Sequence, residues 1–188
     1  DVRSIKSLAY KQAGEVIVNE MDKLVDMKQF PRVNYQLIDL NNYVFKSAYS
    51  DRCLGYFASH GCPLNCAFCC LAEVFGRRWF SKAIPEIIED LRYFKKMAAI
   101  DSITFDDDNF FINRDFTLKL CQAMIDSGLN LKWDTSAHAA LFLKLFNDED
   151  IDLFYRSGCR QIYVGAESGD QAVLDLIDKQ SKVEDSLN

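Results

Sequence analysis

Cys62, Cys66 and Cys69 stand in a CxxxCxxC arrangement within His60-Gly61-Cys62-Pro63-Leu64-Asn65-Cys66-Ala67-Phe68-Cys69. Thiolates at this density are ligands for soft metals, and iron–sulfur clusters are held by such sets. A four-iron cluster is normally held by four cysteines. The local motif supplies three, so one iron would stay open to a small molecule, as a catalytic metal keeps a vacant position. An open iron implies chemistry. The competing reading is zinc held by the same thiolates with Cys70 or His60, but the two separated CxxC knuckles of a zinc ribbon are missing. Cys53, Cys121 and Cys159 stand alone beside apolar runs, where free cysteine packs as a small hydrophobe, and Cys70 could pack behind the loop or replace a lost ligand, packing being the better reading.

These cysteines need elements to carry them. From Arg52 onward the pattern repeats a short strand, a loop and an amphipathic helix, the signature of a parallel sheet. Strands are expected at Leu54 to Ser59, Ser102 to Phe105, Asn130 to Thr135 and Arg160 to Val164. Helices are expected from Pro85 toward Met97, Arg114 to Asp126, Asp148 to Arg156 and Asp170 to Asp178. Before them, Ile5 to Tyr10 and Glu15 to Val18 around Gly14 read as a hairpin. No GxGxxG or GxxxxGKS follows any strand, which disfavours a nucleotide-binding sheet. The fold class expected is α/β, a partial parallel (β/α) barrel of about four units. A whole eight-unit barrel takes about 250 residues, so the domain is expected to continue past Asn188. Barrel enzymes build their sites at the carboxyl ends of strands, and polar groups do follow these strands: Asp106-Asp107-Asp108-Asn109, Thr135-Ser136-Ala137-His138 and Glu167-Ser168. An acidic triplet is equally at home as a solvated helix N-terminus, and only its place after a strand favours function.

The chain has 188 residues, 49% of them hydrophobic, which suffices for one sizeable core but not for two large domains. A net charge of -6 without a basic stripe argues against nucleic acid as the main partner. The apolar runs fall far short of a membrane span, no signal peptide opens the sequence, and the clustered thiols suit a reducing compartment, so the cytoplasm is expected.

The CxxxCxxC motif with an aromatic residue, Phe68, before its third cysteine resembles the radical S-adenosylmethionine superfamily. The resemblance implies a [4Fe-4S] cluster whose open iron chelates S-adenosylmethionine and whose electron breaks the sulfonium bond, giving methionine and a 5'-deoxyadenosyl radical. It implies that Asp106 and Asp107 meet the ammonium of S-adenosylmethionine, Glu167 and Ser168 its ribose, and Phe68 its adenine. His138 and His60 stand where the family commonly has arginines, and a histidine would hold a carboxylate only weakly or at lower pH. More narrowly, TFDDDNFFINRDF, GCRQIYVGAESGDQAVLDLIDK and the hairpin from Ile5 to Asn19 resemble the cobalamin-dependent subgroup. That likeness implies a linker over 1–50, a radical domain over 51–188 cut short at its C-terminal end, and cobalamin supplied by a domain absent from this chain. The implied activity is methylation or hydrogen abstraction at an unactivated carbon of a small-molecule substrate, with flavodoxin or ferredoxin as electron donor. The alternative is a structural zinc or iron–sulfur module for partner binding. Sulfur insertion or thiomethylation of nucleic acid is the weakest reading, given the acidic charge.

Overall fold

The structure, a computed structural model, describes residues 1–22 and 30–187; residues 23–29 of the expected linker and residue 188 lie outside the described residues. Ala13 and Gly14 both have positive φ, 51° and 89°, the two-residue turn that suits a tight hairpin. It pairs β1 (Ala9–Gln12) with β2 (Glu15–Val18), Gln12 facing Glu15. The first strand therefore begins later than expected, because the turn sets the register and Ser7, at φ 59°, interrupts the chain before it.

The main sheet has five strands in the order β3 (Phe45–Ser47), β4 (Ser50–Tyr56), β7 (Ser102–Phe105), β8 (Lys132–Ala137) and β9 (Cys159–Val164). The last four are parallel, as the strand–helix repeat requires, and β3 adds an antiparallel edge that the sequence reading did not contain. The sheet is open and does not close into a barrel. The expected strand from Leu54 to Ser59 splits in two. β4 ends at Tyr56, and β5 (Ser59–His60) pairs instead with β6 (Phe80–Ser81).

Four helices follow the expected pattern. In α2 (Ile84–Ala98), Ile87, Leu91, Phe94 and Ala98 form one buried stripe behind a proline in the first turn. The side chain of Asn113 accepts the Phe116 N–H at the start of α3 (Arg114–Asp126). Asn147 and Asp150 form a capping box on α5 (Asp148–Ser157), and Gly158, at φ 110°, ends it where a Cβ would overlap the Leu131 carbonyl. Asp170 caps the shorter α6 (Gln171–Leu176). Two short helices were not anticipated: α1 (Leu71–Phe75) after the cysteines and α4 (Ala139–Leu145) after β8.

The helix-covered face of the sheet is the core. Trp133, Phe105, Phe110, Phe111 and Phe154 are all at most 1% exposed and meet edge to face or tilted at 4.9–6.5 Å. The Trp133 indole N–H donates to Ser157 Oγ at 3.1 Å, satisfying the polar end of a fully buried ring. Asp90, 1% exposed, joins the parts: it accepts from Tyr56 of β4 at 2.8 Å and from Arg32 at 3.0 Å, and lies 3.6 Å from Lys82. Among the described residues no helix is long and apolar enough to cross a membrane.

Candidate functional site

The cysteine loop is held from both ends. Gly61, at φ 86°, occupies a position where a Cβ would overlap the Arg78 carbonyl, so glycine is required just before Cys62. Its N–H donates to the Asp108 carboxylate at 2.7 Å. At the far end, the Ala67 N–H donates to the Ile177 carbonyl at 2.8 Å, tying the loop to the end of α6, and the Cys69 N–H closes a turn on the Cys66 carbonyl at 3.0 Å.

Cys62, Cys66 and Cys69 line one cavity of about 360 Å³ at the carboxyl end of the sheet. With them are Phe68 of the same loop, Asp108 and Asn109 after β7, Ser136, Ala137 and His138 at the end of β8, and Tyr163, Val164, Gly165, Glu167 and Lys179 from and beyond β9. Burial pushes the Cys62 and Cys66 thiols up, and the nearby Lys179 cation pulls Cys66 back down. Among the described residues no three His, Cys, Asp or Glu side chains are grouped to hold a metal ion. A single zinc needs its donors at about 2–2.3 Å from one point, whereas a four-iron cluster takes each thiolate on a different iron. Three thiols and no further side-chain donor of the same motif, all lining one cavity, are a donor set that suits such a cluster. A larger apolar cavity of about 960 Å³ runs from the hairpin segment along β4 to His60, and none of the three cysteines lines it.

Of the residues singled out in the sequence, Phe68, His138 and Glu167 share the cavity with the cysteines, whereas Asp106, Asp107 and Ser168 do not line it. The Asp107 carboxylate, 4% exposed, accepts from the Ala58 N–H at 3.0 Å and from the Ser59 hydroxyl, which in turn accepts from Trp79. Burial raises its pKa to about 7. Asp107 thus positions the strand that enters the cysteine loop. Asp106 turns the other way, across Gly55 of β4. Ser168 Oγ accepts from the Asp170 N–H at 3.1 Å, shaping the turn into α6.

His138 accepts the Leu141 N–H on Nδ1 at 3.4 Å, and its Nε2 lies 2.7 Å from the Lys179 carbonyl. Both nitrogens are engaged, with Nε2 the donor, and burial lowers the ring's pKa toward the neutral form. His60 stacks between Phe57 at 4.8 Å and Phe75 at 6.1 Å.

Lys179 was missed in the sequence. It is 6% exposed, its ammonium 2.8 Å from Glu167 Oε1 and 5.7 Å from the Phe68 ring centre. Nothing local marks a lysine after a helix as buried; only the return of α6 against the cysteine loop shows it. Asn109, 5% exposed with its Oδ1 unpartnered among the described residues, was visible only as the end of an acidic run.

The radical SAM superfamily model matches residues 56–188. The chain belongs to that superfamily of enzymes. It is 26% identical over its whole length to an uncharacterized methyltransferase of Pyrococcus horikoshii, of which it spans 40%. Its fold matches the apo structure of the cobalamin-dependent S-adenosylmethionine radical enzyme OxsB, with a TM-score of 0.74 and 20% identity over 100% of this chain and 27% of that one. It also matches the radical S-adenosylmethionine methyltransferase TsrM from Kitasatospora setae, solved with tryptophan substrate and a SAM analogue, with a TM-score of 0.70 and 14% identity over 99% of this chain and 38% of that one. The chain spans at most 40% of the length of these relatives.

Proposed function

We propose that this chain is the part of a methylating radical S-adenosylmethionine enzyme that holds a [4Fe-4S] cluster on Cys62, Cys66 and Cys69 and S-adenosylmethionine beside it. The observation that supports this most is that three thiols of one short motif meet the ends of three parallel strands at a single cavity. When bound, the cluster supplies the electron that cleaves S-adenosylmethionine to methionine and a 5'-deoxyadenosyl radical.

The chain's own residues do the holding. Lys179 sets a positive charge beside Cys66, which offsets the negative charge of cluster thiolates and suits a carboxylate ligand. Phe68, 58% exposed on the cavity wall, offers a flat face to adenine. Glu167, steadied by Lys179, would accept from the ribose hydroxyls. Asp108 and Asn109, rather than Asp106 and Asp107, line the cavity on the side assigned to the ammonium. Asp107 and His138 act through the backbone they hold.

One solved neighbour is cobalamin-dependent and the other a methyltransferase, which supports cobalamin as a second cofactor of the whole protein, bound outside this chain. The substrate is then a small molecule with an unactivated carbon, the electron donor a flavodoxin or ferredoxin, and the compartment the reducing cytoplasm. Anaerobic reconstitution of the full-length protein with iron, sulfide and cobalamin tests this reading. Formation of 5'-deoxyadenosine, with S-adenosylhomocysteine beside it, is expected. One zinc and no iron in freshly purified protein, or a loaded cluster that never cleaves S-adenosylmethionine, would overturn it.

A further inference from the structure

Lys179 enters the cysteine cavity from a turn built against the ordinary preferences of its backbone. Asp178 and Gln180, on either side of it, have φ of 49° and 57°, and its ion-pair partner Glu167 has φ of 60°. Residues other than glycine adopt such values only at a cost, and strain of this kind persists where the surroundings over-determine it, most often at functional sites. Gly165 adds a close approach: a Cβ there would come within 2.8 Å of Glu167 Oε1 and 3.1 Å of Lys179 Nζ. Four contacts hold residues 177–181. The Ile177 carbonyl accepts from the Ala67 N–H of the cysteine loop at 2.8 Å, and Asn65 of that loop donates to the Asp178 carboxylate at 3.4 Å. At the far end Gln171 donates to the Ser181 carbonyl at 3.2 Å. Between them, the Lys179 carbonyl has one hydrogen-bond partner among the described residues, His138 Nε2 at 2.7 Å. His138 is 6% exposed at the end of β8, and its Nδ1 makes the longer bond, 3.4 Å, to the Leu141 N–H at the start of α4. A histidine kept only to cap α4 would need Nδ1 alone; the shorter bond, from the other nitrogen, fixes the residue that carries the buried cation.

We propose that His138 is a positioning residue that pins residues 177–181 through the Lys179 carbonyl, so that the Lys179 ammonium stays in the cysteine cavity and raises the reduction potential of the cluster held there. The ammonium lies 5.7 Å from the ring centre of Phe68, the residue before Cys69. Reduction adds a negative charge, so a cation held this close favours the reduced state; net charge around a cluster is among the terms that set its potential. The effect on the cluster rests on the function proposed above; the pin itself does not.

Two substitutions separate the pin from the cap. The amide of asparagine reaches the place of Nδ1, so His138→Asn keeps a cap for α4 and loses the bond to Lys179. The amide of glutamine reaches the place of Nε2, so His138→Gln keeps that bond and loses the cap. In cluster-free full-length protein, hydrogen exchange over residues 177–181 is expected to be about tenfold faster in His138→Asn and close to wild type in His138→Gln, with α2 and α3 unchanged in both. Redox titration of the reconstituted protein, followed by electron paramagnetic resonance, is expected to give a more negative midpoint potential in Lys179→Met. A smaller shift of the same sign is expected in His138→Asn and none in His138→Gln. Exchange that is unchanged in His138→Asn, equally fast in both variants, or faster in α2 and α3 as well, would overturn the pin. A potential unmoved in Lys179→Met or in His138→Asn would overturn the effect on the cluster. Wild-type protein that takes up no cluster would sink the proposed function and that effect with it, whereas the exchange result would still decide the pin.

Discussion

The two faces of the central sheet are built from the same strands to opposite ends. Toward the helices, Ile103, Phe105 and Trp133 are fully buried among phenylalanines, and the polar end of Trp133 is satisfied by Ser157. Toward the open side, the alternate positions carry Thr104, Asp134, Ser136, Gln161 and Tyr163, with an unpartnered carboxylate oxygen on Asp134. A stripe optimised for stability would not leave a buried acceptor vacant. The first face holds the sheet together, and the second keeps polar groups ready beside the cysteines.

The comparison breaks most visibly at Trp133. Trp133→Ala should cost about 3–5 kcal/mol, because it empties the centre of the aromatic cluster and leaves Ser157 without its donor; urea unfolding measures it. Asp107 comes next. Its folded pKa of about 7 lies above the ordinary carboxylate value, so the native state binds more protons than the unfolded chain between these limits. The stability this group contributes is full below pH 4 and is lost as pH rises toward 7. Relative to Asp107→Asn, the wild-type protein should therefore lose up to a few kcal/mol between pH 4 and 8, read from unfolding midpoints at several pH values. Removing the α5 capping box with Asn147→Ala should cost about 1 kcal/mol. The smallest effect is expected on the open face: Asp134→Asn keeps an acceptor for Tyr49 and Thr104 while removing a buried charge, so its unfolding free energy should stay within about 1 kcal/mol of wild type. A loss as large as that of Trp133→Ala would mean that the two faces do not differ as described.

Much of the core was legible because its signals are local. The helical spacing of Ile87, Leu91 and Phe94 marks α2, and Gly158 marks the end of α5. The errors lie where a distant partner decides. Asn130, expected to open a strand, takes a positive φ of 50° in the turn before β8, which then runs to Ala137. β5 leaves the line of β4 because Phe80 and Ser81, twenty residues on, offer it a partner. The cysteines announce themselves by spacing. The fates of Asp106, Asp107 and Asp108 do not: three adjacent carboxylates turn to Gly55, to Ala58 and Ser59, and to Gly61, and only the assembled loops separate them. Lys179 reaches the cavity through α6, which no local pattern joins to the cysteine loop.

The proposed chemistry depends on an open iron held by Cys62, Cys66 and Cys69. Electron paramagnetic resonance of the reduced, anaerobically reconstituted full-length protein, with and without S-adenosylmethionine, tests it most directly, with Cys66→Ala as the control. A [4Fe-4S] signal that shifts on adding S-adenosylmethionine and is lost in the variant is the predicted result; a cluster signal indifferent to S-adenosylmethionine, or one that survives in Cys66→Ala, would contradict it.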